Sequence, residues 1–594
     1  MSKKAIVGVQ IGITSGCAVY RNGVIEFAAS EERYSRVKND TSFPDQAIED
    51  AIKTCGLTAD DIEKIILVSR RMSPDHFLTN RECRFSIEDY LREQYEYYKP
   101  RILNGTKTDF LEIFSEKIDS RYTDLLQEVR NSNEPRSDIW NRWRSARVSR
   151  LFGVSPDEVQ IVNHESAHAA YAYYGSPFRG NDVLTVTFDG FGDEANAVIA
   201  TNMQDRLNVD HRYTNFNIGR IYRFITLLLG MKPNEHEYKV MGLAPYATEY
   251  TYRKALGVFL NAYKFIDDGN IKIDPELKDH FFYFKDRLEG CRFDGVAAAL
   301  QIFTEKMNCA LVNHWAEKLE KKRIVLSGGV SLNIKANMEI GKLECVQDLF
   351  VVGSGGDESL CIAGIYAYLD ENGRGSEILP LESLYLGSTI SQKEIDPVVK
   401  KLSRQMDVQV VENVTSDAVA RMIADGKIVG RVAGRMEFGA RSLGNRSILA
   451  DPRHPETIRK INSKIKNRDF WMPFTPSILP DDAAKYLNNP KGFRFPYMSI
   501  ACETTNEGRR SLSAALHPAD HTARPQIVEK YSNPTYHELL ASFKSVTGVG
   551  ALLNTSLNLH GMPIVRTADD ASQVLINSDL DGLVIENTLI ARRM

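Results

Sequence analysis

"KAIVGVQIGITSGCAVYRNGVIEFAASEER", residues 4–33, decides the fold. The β-branched run from Ala5 to Gln10 reads as a strand, and the Gly/Ser/Thr turn after it ends that strand. A second strand then runs to Asn22-Gly23, a dipeptide that favours the tight turn of a β-hairpin, and a third strand follows. The plan returns at residues 183–202, "VLTVTFDGFGDEANAVIATN", as strand, Gly/Asp turn and strand. Two such units, each followed by helical sequence, predict a duplicated α/β fold whose two lobes close on phosphate between their turns.

Two further strand-to-helix turns are glycine-rich: "KRIVLSGGVSLNIKANMEI" (322–340) and "LFVVGSGGDESLCIAGIYAYL" (349–369). Glycine there lets the backbone come close to a ligand, although ordinary strand-to-helix turns look the same. "NHESAHAAY", residues 163–171, places His164 and His168 four apart. On a helix they share a face and suit one metal ion, and two surface histidines on an alanine-rich helix would look alike.

The 594 residues suffice for two to four domains. With 74 Lys+Arg against 78 Asp+Glu, the net charge of -4 supplies no global attraction for nucleic acid or an anionic membrane. The 8 cysteines are scattered without a CxxC pair, which fits a reducing cytoplasm. The leading apolar run is broken by Gln10 and glycines before it reaches signal-peptide or membrane-span length, so a cytoplasmic chain is expected.

A polar, aromatic-rich helical insert is expected at about residues 71–150, ending in "WNRWRSARVSRLFG". Its interleaved tryptophans and arginines suit either a single-stranded nucleic-acid site or an amphipathic helix with Trp140 and Trp143 turned inward. "DENGRGSEILPLESLYLGSTIS" (370–391) reads as a linker, rich in Gly, Ser and Pro. Beyond it, "GKIVGRVAGRMEFGARSLGNRSILADPR" and "NSKIKNRDFWMPFTPS" set cations and amides beside glycines within apolar sequence, a composition suited to a phosphorylated or adenylated ligand.

In order along the chain, "EERYSRVKND", "NHESAHAAY", "TFDGFGDE", "EHEYKVMGLAPY", "LSGGVSLN", "GSGGDES", "GRMEFGARSLGNRSILADPR" and "LLNTSLNLHGMPIV" resemble the NodU/CmcH family of carbamoyltransferases. The resemblance implies an α/β chain: a duplicated actin-like (ASKHA) domain over residues 1–375, a linker over 376–391 and an α+β YrdC-like domain over 392–594. The second domain would form carbamoyl adenylate from carbamoyl phosphate and ATP with Mg. The first would pass the carbamoyl group to a small-molecule acceptor of natural-product (antibiotic) biosynthesis, with divalent iron or another divalent metal bound. Carried over by motif, the metal ligands would be His164, His168, Asp189 and Asp357. Glu237 and Lys239 would face the nucleotide, with Gly328, Gly329 and Asn333 along the adenosine. In the second domain Arg441 and Lys466 would neutralise phosphate, and Asn554 and Ser556 would bind the adenylate. Neither a membrane nor a nucleic acid is an expected partner, and the resemblance leaves a homodimer or a paralogue open.

Four positions depart from the family pattern. Ile13 stands where the first turn would carry a histidine, Asn39 replaces the histidine of "RxKHD", Asn163 the first histidine of "HHxxxH", and Met472 the arginine of "FRPF". With Asn39 unable to titrate near neutral pH, Asp40 becomes the candidate base. Loss of polar positions beside an intact ligand set predicts an altered donor or acceptor. The other readings are a partially degenerate subunit of an active paralogue and a nucleic-acid-associated actin-like protein.

Overall fold

The computed structural model describes residues 4–180, 182–203, 206–466 and 468–593. The chain forms two compact units: residues up to Glu32 together with Asn39–Leu381, and Arg33–Lys38 together with residues from Glu382 onward.

The first unit contains two five-stranded sheets of one topology. In the first, Val24–Ser30, Gly16–Arg21 and Ala5–Gln10 pair antiparallel, and Ile62–Val68 and Val159–Val162 continue parallel from Ala5–Gln10. In the second, Arg206–Tyr213, Ala197–Met203 and Val183–Phe188 pair antiparallel, and Arg323–Ser327 and Asp348–Val351 continue parallel. The duplication that the two hairpin segments imply is therefore present in full. The Asn22-Gly23 turn has φ of 53° and 93°, the two left-handed residues such a hairpin requires. Strand Arg206–Tyr213, the edge of the second sheet, was not apparent from sequence; its burial pattern alternates only weakly.

The central strands Ala5–Gln10 and Val183–Phe188 are buried along their whole length, as strands covered on both faces must be. Helix Leu360–Glu371 covers the first sheet at close range. A Cβ on Gly8 would lie 1.8 Å from the Cys361 carbonyl oxygen, so only glycine admits that approach. The contact fixes the start of this helix, and with it the turn that carries Asp357.

Helix Arg136–Phe152 settles the orientation of the tryptophan–arginine segment. Trp140 is 0% exposed, packs on Phe77 and stacks against Trp143, whose indole N–H donates to Asp124. Arg142 pairs with Glu128 and Glu134, and Arg147 with Asp45. Trp140 is turned inward, Trp143 is half-buried against it, and these arginines are paired with carboxylates, the packing of an amphipathic helix.

The second unit is built on an eight-stranded mixed sheet, with strands Val408–Val411, Thr588–Arg592, Gly582–Ile585, Val429–Val432, Arg446–Ala450, Ala551–Ser556, Thr475–Ile478 and Gln526–Ile527 in that order. Its core gathers Val432, Ile448, Leu553, Leu583 and Ile590 from five of these strands. The short segment Arg33–Lys38 is held in this unit by Arg33, which donates to the Gly439 carbonyl, and by Arg36, which donates to the carbonyls of Pro563 and Ile564. Among the described residues, no helix is long and apolar enough to cross a membrane.

Candidate metal centre and basic site

The strand Val159–Val162 hands over to helix His164–Tyr174 through Asn163, whose Oδ1 accepts the Ser166 backbone N–H at 2.9 Å. Asparagine at this position is an N-cap, which a short amide side chain makes well. One turn of that helix sets the His164 and His168 rings 4.8 Å apart. Asp189 follows strand Val183–Phe188, and Asp357 opens the short 3₁₀ turn before helix Leu360–Glu371. The duplicated topology thus brings residues from the ends of three parallel strands to one point.

One ligand atom from each of His164, His168, Asp189 and Asp357 lies within 4.8 Å of all the others. His164 Nε2 is 2.9 Å from Asp189 Oδ2 and 3.7 Å from Asp357 Oδ1; His168 Nε2 is 3.4 Å from Asp357 Oδ1. Burial acts to depress the His164 imidazole, yet its hydrogen bond to Asp189 and the charges of Asp357 and Asp189 outweigh that and hold it at about 10. Burial acts to raise Asp189, and the histidines overcome it, so this carboxyl lies below the ordinary range. His168 is 1% exposed and its Nε2 makes no hydrogen bond. Two carboxylates and two imidazoles in a largely buried pocket, one imidazole with an orphaned nitrogen, are the donor set of a divalent transition metal, and the residues fit that group.

Around the quartet lies a second set of contacts. Ser69 Oγ sits 2.9 Å from His164 Nδ1, and Ser327 Oγ 3.4 Å from His168 Nδ1. Asp193 accepts the backbone N–H groups of His164, Arg70 and Arg71. Sequence reasoning missed Ser69, Asp193 and Ser327 as site residues. Asp193 and Ser327 lie inside motifs that were read, whereas Ser69 carries no local signal.

Gly328 has φ of 91°, and a Cβ there would meet the Phe188 carbonyl oxygen at 2.2 Å. Gly329 N–H donates to Asp189 Oδ1 at 3.2 Å, so this glycine turn braces a quartet residue. Asn333 caps helix Ile334–Lys342 and exchanges two amide hydrogen bonds with Gln301. Glu237 accepts the Asn234 N–H, and burial pushes its carboxyl up to about 7; Lys239, two residues on, is half-buried. Asp40 is buried, with Oδ1 accepting the Ser42 N–H, and its carbonyl accepts the Ser15 N–H from the turn that carries Ile13. Glu31, not singled out in the sequence, bonds to the same turn through its backbone N–H, and burial raises its carboxyl to about 7.

In the second unit the Lys466 ammonium donates to the carbonyl and hydroxyl oxygens of Ser556 and to both oxygens of Asn558. Burial, then the charges of Arg468 and Lys38, push it well below the ordinary lysine range. Half-buried Arg441 adds its charge to burial in depressing the Arg524 guanidinium, a second cation that sequence reasoning passed over. Asn554 is fully buried; its amide meets Ser442, Ser477 and Gln526, so its polar atoms all face protein groups. The structure brings Lys466 and Ser556 together and keeps Asn554 within the sheet's own polar network. Met472 is buried and adds no charge.

Two family models cover most of the chain, a carbamoyltransferase N-terminus over residues 5–364 and a carbamoyltransferase C-terminus over residues 420–592. The nodulation protein NolNO of Sinorhizobium fredii is 29% identical over 97% of this chain and 79% of that one. The 3'-hydroxymethylcephem-O-carbamoyltransferase of Amycolatopsis lactamdurans is 33% identical over 30% of this chain and 33% of its own. A solved structure of full-length HypF in the phosphate- and nucleotide-bound form matches 64% of this chain and 57% of that one at 12% identity and a TM-score of 0.35, too low to carry an argument. On its two matched models the chain belongs to the carbamoyltransferase family, and it is a transferase.

Proposed function

We propose that the chain is an ATP-dependent carbamoyltransferase of small-molecule biosynthesis, in which the second unit is a YrdC-like activating domain and the first an actin-like transfer domain. Activation would begin with water displacing phosphate from carbamoyl phosphate, or from a related donor, to leave carbamate, whose oxygen would then attack the α-phosphorus of ATP and expel pyrophosphate to give carbamoyl adenylate. Lys466 and Arg441, with Arg468 and Arg524 beside them, would hold the phosphates. Lys466 is held by the oxygens of Ser556 and Asn558 with the charge of Arg468 acting on it, and Arg441 acts likewise on Arg524, so an anionic phosphate is the ligand that would relieve the repulsion at each place. Ser556 would offer its hydroxyl to the adenylate.

The observation that carries the reading is the buried quartet with its orphaned His168 nitrogen. His164, His168, Asp189 and Asp357 would hold a divalent ion, iron by resemblance, which supplies Lewis acidity when bound. Gly329 braces Asp189 through its backbone N–H, and Gly328 lets that turn pass close to the Phe188 carbonyl. Lys239 would meet the nucleotide phosphates, while Glu237 and Asn333 shape the wall around it. Asp40, beside the turn of Ile13, would take the acceptor's proton in place of a histidine. The cephem relative named above supports an acceptor from natural-product chemistry.

The test is pyrophosphate release by the purified protein given ATP·Mg and carbamoyl phosphate. Parent protein should release it, and Lys466→Met should abolish release while leaving cation binding by the first unit intact. Unchanged release in Lys466→Met would remove the activation site from the second unit.

A further inference from the structure

Each imidazole of the quartet has a serine on its far side, and the two serines occupy equivalent places in the duplicated fold. Ser69 directly follows strand Ile62–Val68, and Ser327 ends strand Arg323–Ser327, the fourth strand of each sheet in chain order of the repeated plan. Both are buried, Ser69 at 8% and Ser327 at 0% exposure. Ser327 Oγ donates its own hydrogen to the Gly355 carbonyl at 3.2 Å, so toward His168 it can only accept. This geometry suits His168 as the Nδ1–H tautomer, which leaves Nε2, without a hydrogen bond and 3.4 Å from Asp357 Oδ1, as the ligand atom. Ser69 Oγ lies 2.9 Å from His164 Nδ1, so with His164 Nε2 given to a cation this hydroxyl is placed to accept the Nδ1 proton.

Ser69 reaches that position with φ of 72°, a conformation a serine does not hold unaided. The tryptophan–arginine helix holds it. Arg144, 1% exposed, donates to the carbonyls of Val68 and Ser69, and Asn141 donates to the carbonyl of Arg70. Arg144 is tied in turn to Asn141 Oδ1. Three consecutive carbonyls of one loop are thus clamped by one face of the inserted helix.

We propose that Ser69 and Ser327 are paired positioning residues that fix both histidines as Nδ1–H tautomers with Nε2 turned to a divalent cation, and that Arg144 serves the site by locking Ser69. The inserted helix thereby acts as a buttress of the metal centre. The inference rests on the metal reading of the quartet.

The experiment loads the full-length protein with Co²⁺ and reads two quantities: the dissociation constant, and the hyperfine-shifted, solvent-exchangeable N–H resonances of the ligated imidazoles. Parent protein should show two such resonances, one for each imidazole whose Nδ1–H is held by a serine. Ser69→Gly keeps the left-handed backbone at no steric cost and removes only the hydroxyl. Ser69→Gly and Ser327→Ala should each lose one resonance, the one the other variant keeps, and should bind Co²⁺ about 10- to 100-fold more weakly. Arg144→Lys should broaden the resonance that Ser69→Gly loses and leave the other sharp, which a general loss of stability would not do. Variants that bind within twofold of parent with both resonances intact overturn the inference while the metal reading stands. A parent protein that takes up no Co²⁺ overturns the metal reading and the inference with it.

Discussion

Cation binding should compete with a proton on His164, and the competition has a calculable size. Asp357 Oδ1 lies 3.7 Å from His164 Nε2. At an effective dielectric of about 20 that contact alone favours the imidazolium by about 4 kcal/mol. The hydrogen bond that His164 donates to Asp189 adds to it and burial opposes both, and the net rise from 6.5 to about 10 corresponds to about 5 kcal/mol. A metal ligand must be deprotonated, so at pH 7 the cation has to displace a proton held about three pH units too tightly, at a cost of about 4 kcal/mol. Each unit of pH restores about 1.4 kcal/mol, so Co²⁺ should bind about 100-fold more tightly at pH 8 than at pH 6. Calorimetric titration in two buffers of different ionisation enthalpy should count about one proton released per cation bound. The sign follows from the direction of the shift: a raised imidazole is charged throughout this range and gives up its proton only to the metal. Proton release near zero, with affinity varying less than threefold over the same range, would refute the argument that the two carboxylates keep His164 protonated.

Gly328→Ala should lower the thermal midpoint of the first unit by several degrees, because the new methyl would meet the Phe188 carbonyl at 2.2 Å in a left-handed backbone. Overpacking and strain together cost about 2–5 kcal/mol. Scanning calorimetry measures this, and a midpoint within one degree of parent would contradict it. Glu31 is raised from 4.5 to about 7 by burial, so the folded state holds its proton more tightly than the unfolded chain. Stability should fall as pH rises from about 4.5 to about 7, by up to about 3 kcal/mol, and remain lower above that range. Thermal midpoints of parent and Glu31→Gln from pH 5 to pH 8 should show this slope in parent alone; equal slopes would deny Glu31 the role. Restoring Ile13→His with Asn39→His should raise carbamoyl transfer to alcohol acceptors about a hundredfold, the usual effect of a general base. No gain, with Asp40→Asn inactive, would assign the proton to Asp40.

Local signals made much of the first unit legible. A period of two with Asn-Gly between strands specifies a hairpin because turn geometry is a property of neighbouring residues, and its recurrence near residue 183 implied the duplication. Histidines four apart on a helix share a face whatever surrounds them, so the pair His164 and His168 was visible, while its partners Asp189 and Asp357 came from motif resemblance and not from spacing. Asn163 looked like a loss of function and proved to be a cap, since capping depends on where the helix begins. The sequence favoured an amphipathic helix with its tryptophans inward over a nucleic-acid site, but either face of such a helix can meet the protein, and the packing of Trp140 on Phe77 fixes which one does. Nor could it find Ser69, Arg144 or Asp193. Their contacts span separations of 29 to 123 residues, and they arise only when parallel strands end at one edge of the fold. Spacing in the chain records what adjacent residues do to one another. The hydrogen bonds that orient a ligand belong to residues that meet only after the sheets have formed, which is why tertiary structure alone placed them.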